Sequence, residues 1–162
     1  MKFWQLLYLP TRRQHQLPIS QFTIGNDQVT PVMSIRNLGI YMDADLSMRT
    51  HIIRTAVGCF AVLRRIRSIR RSVTQPVLQS LVVALVLSHL DYGSTVLFGL
   101  PQQLVDKLQS VQNAAARLVL AARRCDHISP VLQSLHWLRV VQRITFRLAV
   151  LTYRCLHGHS II

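Results

Sequence analysis

The chain has no glutamate, and its six acidic residues are all aspartates, none next to another. Chemistry that relies on clustered carboxylates is therefore poorly supplied, with Asp43 and Asp45 as the only close pair. Six Gly and six Pro in 162 residues exclude collagen-like and linker-like chains. Three Cys, an odd number, exclude a disulfide scaffold and imply reduced thiols and an intracellular setting. No phosphate-binding P-loop, Gly-rich dinucleotide loop or Ser nucleophile elbow is present. Long apolar runs are lacking too. The longest membrane candidate, residues 77–90, contains Gln79, Ser80, Ser88 and His89 and is followed by Asp91. It falls short of the roughly 20 apolar residues of a spanning helix, so it is read as a buried helix, with no membrane partner. Residues 1–9 are apolar, but Pro10 and Arg12-Arg13 end them before any small-residue cleavage site, unlike a signal peptide.

What remains is rich in two things. Half of the residues are hydrophobic, enough for one sizeable core in a domain that buries roughly 70% of its unfolded surface. The other is positive charge: nineteen Lys plus Arg, seventeen of them Arg, give a formal net charge of +13. Guanidinium groups make forked contacts to phosphate, so nucleic acid is the first partner to test and an anionic membrane the second. Biased composition without a charged partner remains an open reading at this level.

Apolar spacing divides the chain. Up to Met42 it is strand-like: Phe22 to Ile24, turn chemistry at Gly25-Asn26-Asp27, then Val29 to Val32 and Ile35 to Met42. After Asp43 the period lengthens to three or four, predicting helices to the end. The fold class is therefore mainly α: a small N-terminal β-element over residues 1–45, then about five helices over 46–162.

The first helix starts after Asp45, with Ile52, Ala56, Cys59, Leu63 and Ile66 as its buried stripe. Arg64, Arg67 and Arg71 flank that stripe, and Arg54 and Arg65 point away from it. Arg70 would fall on the stripe, so the helix should end or bend near Ser68. A second helix runs from about Thr74 toward Tyr92 with Pro76 in its first turn. Apolar on most sides, it is expected at the centre of the fold. Gly99-Leu100-Pro101 precedes a third helix with a Leu104, Leu108, Val111, Ala115, Leu118 stripe; Ala114-Ala115-Ala116 would admit a close neighbour. Ser129-Pro130 reads as the cap and first turn of a short fourth helix ending near Leu135. The fifth spans about Val140 to Leu156, with Gly158 as its left-handed terminator.

Three constellations bear on chemistry. Asp43 and Asp45 sit at the strand-to-helix passage, where helix capping is the preferred role and metal binding the alternative. Cys155, His157 and His159 with Cys125 and His127 could form a zinc site; the competing reading is a buried thiol beside surface histidines. His51, His89 and His136 are isolated and expected to be packed or capping. The third is the functional signal: Arg64-Arg65, Arg67 and Arg70-Arg71 put five guanidinium groups at one helix end, with Arg54, Arg117, Arg123 and Arg124 as further phosphate contacts.

Several segments, taken in order, resemble one family. Asn37-Leu38-Gly39-Ile40-Tyr41-Met42-Asp43-Ala44-Asp45-Leu46-Ser47-Met48 with His51-Ile52 is similar to the segment after the catalytic palm of non-LTR retrotransposon reverse transcriptases, closest to the Jockey-like long interspersed elements. Ser88-His89-Leu90-Asp91-Tyr92-Gly93, Gly99-Leu100-Pro101, residues 108–119, His127-Ile128-Ser129-Pro130-Val131-Leu132, Leu135-His136-Trp137-Leu138, Arg143-Ile144 and residues 151–158 continue the series. Arg139 departs from it, standing where that family often has Pro. The resemblance covers residues 10–158. It implies the thumb side of an RNA-directed DNA polymerase: a palm remnant and primer-grip-like turn at Leu38, Gly39 and Ile40, then a helical thumb and extension. The implied partners are RNA–DNA hybrid or duplex nucleic acid and the palm of the parent polymerase. The family's Mg²⁺ is held by an Asp-Asp pair that this sequence lacks, so the expectation is a chain with no cofactor of its own and inactive in isolation. The rival expectation is an inactive or domesticated helical interaction module. If the helices normally pack on a palm, an apolar face should be left exposed near residues 1–42.

Overall fold

The computed structural model describes residues 21–158, in two compact units that meet between His51 and Ile52. Residues 1–9, Arg12-Arg13 and His159 lie outside the described residues.

In the first unit the backbone reverses twice. Strands β1 (Phe22–Ile24) and β2 (Asp27–Val29) pair antiparallel around Gly25, whose φ of +61° meets the requirement on the first central residue of a type II′ turn. The expected Val29 to Val32 strand is displaced, since β2 ends at Val29. The strand-like stretch from Ile35 to Met42 is a second hairpin, which reverses at Leu38-Gly39, within the turn expected at Leu38, Gly39 and Ile40. Here β3 (Ser34–Asn37) pairs with β4 (Ile40–Asp43), aligning Ile35 with Met42 and Arg36 with Tyr41. Leu38 and Gly39 carry φ of +46° and +84°, as a two-residue type I′ turn demands. A leucine there costs on the order of 1 kcal/mol, and apolar spacing gives no warning of the reversal. Across the pair, the Arg36 guanidinium lies 5.6 Å from the Tyr41 ring centre.

Helix α1 (Arg49–Ile69) starts where Asp43 and Asp45 supply acceptors. Asp43 Oδ2 accepts from the Thr50 N–H at 3.0 Å and from Ser47 Oγ at 3.2 Å, while Asp45 Oδ1 accepts from the Ser47 N–H at 3.0 Å. These bonds satisfy amides that a helix start leaves open. The Ser47 backbone bond holds the Asp45 carboxyl below its ordinary pKa.

The second unit is helical. Ile52, Ala56, Cys59, Leu63 and Ile66 are all buried, and α1 ends at Ile69 before a 3₁₀ turn at Arg70–Ser72. Then come α2 (Gln75–Val82), a π turn at Val83–Leu87 and α3 (Ser88–Asp91) in one continuous rod. A 3₁₀ turn at Ser94–Leu97 leads to α4 (Gln102–Leu120), α5 (Ile128–Ser134) and α6 (Val140–Leu156). Counting the α2–α3 rod once, the described residues form five helices.

Helix α4, not the second helix, holds the centre. It buries nine residues, Gln112 among them, and packs against α2, α5 and α6. The rod buries Leu78, Val82, Val86, Leu87 and Leu90 but leaves Val77, Val83 and Leu85 exposed, so its all-round hydrophobicity does not translate into all-round burial. The π turn puts Val82 and Leu87, five residues apart, both in the core. Carbonyls within it find side-chain donors: Ser88 Oγ donates to Ala84 O, and the Cys59 thiol reaches Val86 O at 4.0 Å. Burial pushes the Cys59 thiol up to about 11.

Two helix starts are built differently from the expectation. Helix α5 begins at Ile128, one residue before Ser129, whose hydroxyl accepts from Arg139 Nη2 at 2.8 Å rather than capping the helix. Helix α6 begins with the Val140 N–H donating to Gln109 Oε1 at 2.9 Å and the Arg139 N–H to Gln142 Oε1 at 3.0 Å. Gly158, at φ +67°, follows the end of α6 as expected. Ala121 takes the same left-handed conformation after α4, at φ +57°, where glycine is the usual occupant.

Candidate nucleic-acid interface

Two helix faces define the site. On α1 the residues Phe60, Leu63, Arg64 and Arg67 recur at steps of three and one and three, which is one side of a helix, and Arg70 follows in the 3₁₀ turn. On α4 the corresponding side is Ser110, Ala114, Arg117 and Leu118, extended by Ala121, Ala122 and Arg124 beyond its end. Between them runs an open groove of about 780 Å³. Ala114 lies in this groove while Ala115 and Ala116 are fully buried, so the alanine triplet serves both the core and the cleft.

Five of the nine arginines singled out from sequence line the groove: Arg64, Arg67, Arg70, Arg117 and Arg124. Arg54, Arg65, Arg71 and Arg123 are exposed and do not line it. Arg71 therefore parts from Arg64 and Arg67, because the 3₁₀ turn breaks the helical spacing that grouped them. Arg70 joins them for the same reason and is half-buried rather than forced onto the core stripe. Phe60 was not singled out from sequence, although its i, i+4 relation to Arg64 was the signal for it.

Charge in the groove is uncompensated. Among the described residues, no ion pair reaches any of its five guanidinium groups; Arg143 and Arg147 instead share Asp91. Arg117 is the most constrained of the five. Its Nη2 donates to the Asp126 carbonyl at 3.3 Å, and its Nε–H is shielded from solvent without an acceptor. An unsatisfied buried donor costs about 1–3 kcal/mol, so this N–H detracts from the stability of the folded chain.

Asp91, outside the groove lining, organises a second arginine set. Arg143 Nε donates to its Oδ1 at 2.9 Å and Arg143 Nη2 to its Oδ2, a forked pair, while Arg147 Nη1 donates to the Asp91 carbonyl at 2.9 Å. Two of the resembling segments, at Asp91 and at Arg143-Ile144, thus meet in space. Nearby, the fully buried Gln112 donates to the Leu138 carbonyl at 2.8 Å and accepts from Gln109 Nε2 at 3.0 Å.

The remaining candidates fare unevenly. His51 is buried, but His89 and His136 are exposed rather than packed. Cys155 is exposed, not a buried thiol, as are Cys125, His127 and His157. Among the described residues no three His, Cys, Asp or Glu side chains come together to hold a metal ion. The Mg²⁺ of the resembled polymerases has no fitting donor set there, since Asp43 and Asp45 are committed to the start of α1. Leu38 is exposed at the tip of the second hairpin, with Gly39 and Ile40 completing the reversal. No described helix is long and apolar enough to cross a membrane. Comparison with protein families, curated proteins and solved structures finds no match to the chain.

Proposed function

We propose that this chain is the thumb-side part of a non-LTR retrotransposon reverse transcriptase, holding primer–template nucleic acid by its backbone and not polymerising alone. The observation that carries the reading is the groove itself: five guanidinium groups from α1, α4 and the segments that follow them, with no carboxylate among its lining residues. Phosphates neutralise such a set without regard to base identity, so binding would be sequence-tolerant and steeply salt-dependent. In this reading Leu38, Gly39 and Ile40 form the primer-grip-like turn, a palm supplies the catalytic aspartates, and Mg²⁺ belongs to that palm.

The test is fluorescence anisotropy with an RNA–DNA hybrid that carries an unpaired template overhang, between about 50 and 200 mM salt. Arg64→Ala, Arg67→Ala and Arg117→Ala together should lower affinity at least tenfold. They should also flatten the log–log salt slope by about 0.9 for each lost phosphate contact. Arg65→Ala, Arg71→Ala and Arg123→Ala, the same charge removed outside the groove, should cost much less. Equal losses from the two triples would reduce the reading to non-specific charge.

A second reading, an inactive or domesticated module that docks on a protein, is supported by α6. Beyond Ile144 no residue of that helix is buried, and Phe146, Leu151, Tyr153 and Leu156 are exposed. This exposed apolar surface lies on the helical unit, away from the residues 1–42 where one was expected. This reading predicts hybrid affinity unchanged by the groove triple.

A further inference from the structure

The groove differs from a plain basic patch in two respects. An aromatic ring stands among the arginines: Phe60 lines the wall one turn before Arg64 and is 39% exposed, so its face is open to the groove. The space is also small. At about 780 Å³ it falls in the range of pockets that enclose a small ligand, which suits one or two nucleotides and not a turn of double helix. A duplex would lie across the rim, its bases stacked on each other and unable to reach the wall. An unpaired strand can enter, place a base against Phe60 and leave its phosphates among Arg64, Arg67 and Arg117.

We infer that the groove is a single-strand site, in which Phe60 stacks one unpaired base while the flanking arginines hold the backbone of the same strand. This rests on the nucleic-acid reading above and assigns the groove to the unpaired stretch of a primer–template rather than to its paired part. Stacking on an aromatic ring is tolerant of base identity, as a site that reads no sequence requires. The rest of the groove is consistent with that division of labour. Ala114, Ala121 and Ala122 leave room beside the ring, and Ser110 adds a hydroxyl with no formal charge.

The test compares a fluorescein-labelled oligothymidine of about 12 nucleotides with a blunt RNA–DNA hybrid of equal length, both at the same salt concentration. The wild-type chain should bind the single strand more tightly. Phe60→Leu, which keeps an apolar side chain, should weaken single-strand binding by about 5- to 150-fold, the loss of one base–aromatic stack. Hybrid binding should change less than twofold, and the single-strand salt slope should not change, because no phosphate contact is removed. Phe60→Trp should retain or strengthen the single-strand complex and rules out a mere packing defect. Tighter binding of the blunt hybrid, or an equal response of both probes to Phe60→Leu, would overturn the inference while leaving the nucleic-acid reading intact if the groove triple still weakens binding. No response of either probe to the groove triple would overturn both.

Discussion

Arginines in the helical unit fall into two populations that composition does not distinguish. Arg143 and Arg147 close on the buried carboxylate of Asp91, tying α6 to the end of the α2–α3 rod. Arg64, Arg67, Arg70, Arg117 and Arg124 line one groove, with no carboxylate among its described lining residues. Like charges converging without a counterion repel, so the first population contributes to stability and the second opposes it unless an anion is bound. The difference teaches that a net charge of +13 is not one property. Part of it is structural, and part is available to a partner.

The sharpest way to break the comparison is to move Asp91. Asp91→Ala leaves Arg143, whose side chain is 23% exposed, without its forked partner. Stability should fall by about 2–3 kcal/mol in urea unfolding, below the roughly 3–5 kcal/mol of a fully dry pair because Arg147 reaches solvent. Nucleic-acid affinity of the folded fraction should be unchanged; a matching loss of affinity would merge the two populations.

A smaller effect of opposite sign is expected at the groove rim. Ala121→Gly relieves the left-handed strain at the end of α4 and should stabilise the chain by about 0.5–1 kcal/mol, after the larger unfolded-state entropy of glycine is subtracted. Thermal unfolding would register it as a modest rise in Tm. No change would mean that the Ala121 backbone is not held at positive φ.

The smallest effect concerns Cys59, behind the groove wall. Its folded pKa is raised to about 11, so the stability it contributes is fully present below its ordinary value near 9 and is lost as pH rises through 11. Alkylation followed by mass spectrometry near pH 8 should modify the exposed Cys125 and Cys155 and spare Cys59 until the chain is denatured. Rapid modification of all three would show that α1 does not pack against the π turn.

Much of the helical architecture was legible because its signal is local. The stripes Ile52-Ala56-Cys59-Leu63-Ile66 and Leu104-Leu108-Val111-Ala115-Leu118 are buried throughout, and α6 has the expected bounds. Misreadings occurred where a local signal had more than one physical solution. Leu38-Gly39 carries no Asn-Gly or Asp-Gly turn signature, so apolar spacing alone left the reversal unmarked, and the turn was expected there only from the resemblance. Ser129 could cap a helix or accept from Arg139, and the long-range bond prevails. The α2–α3 rod reads as central on hydrophobicity alone, yet α4 takes that place because more neighbours pack against it. The arginine cluster was legible as a cluster, whereas its membership was not. The 3₁₀ turn leaves Arg70 in the groove and Arg71 outside it, and of the second patch Arg117 on α4 and Arg124 beyond its end line the same groove while Arg123 does not.

The sequence by itself determined the helical periodicity, the arginine excess and the absence of glutamate and of any Asp-Asp pair, because each is written in composition or in spacings of three and four residues. Only the tertiary structure decided which arginines are neutralised. Asp91 and Arg143 are separated by 52 positions, and Arg67 and Arg117 by a similar span, so their partnership or its lack depends on which helix faces pack together. Coulomb energy follows distance in space, and local spacing along the chain does not contain it.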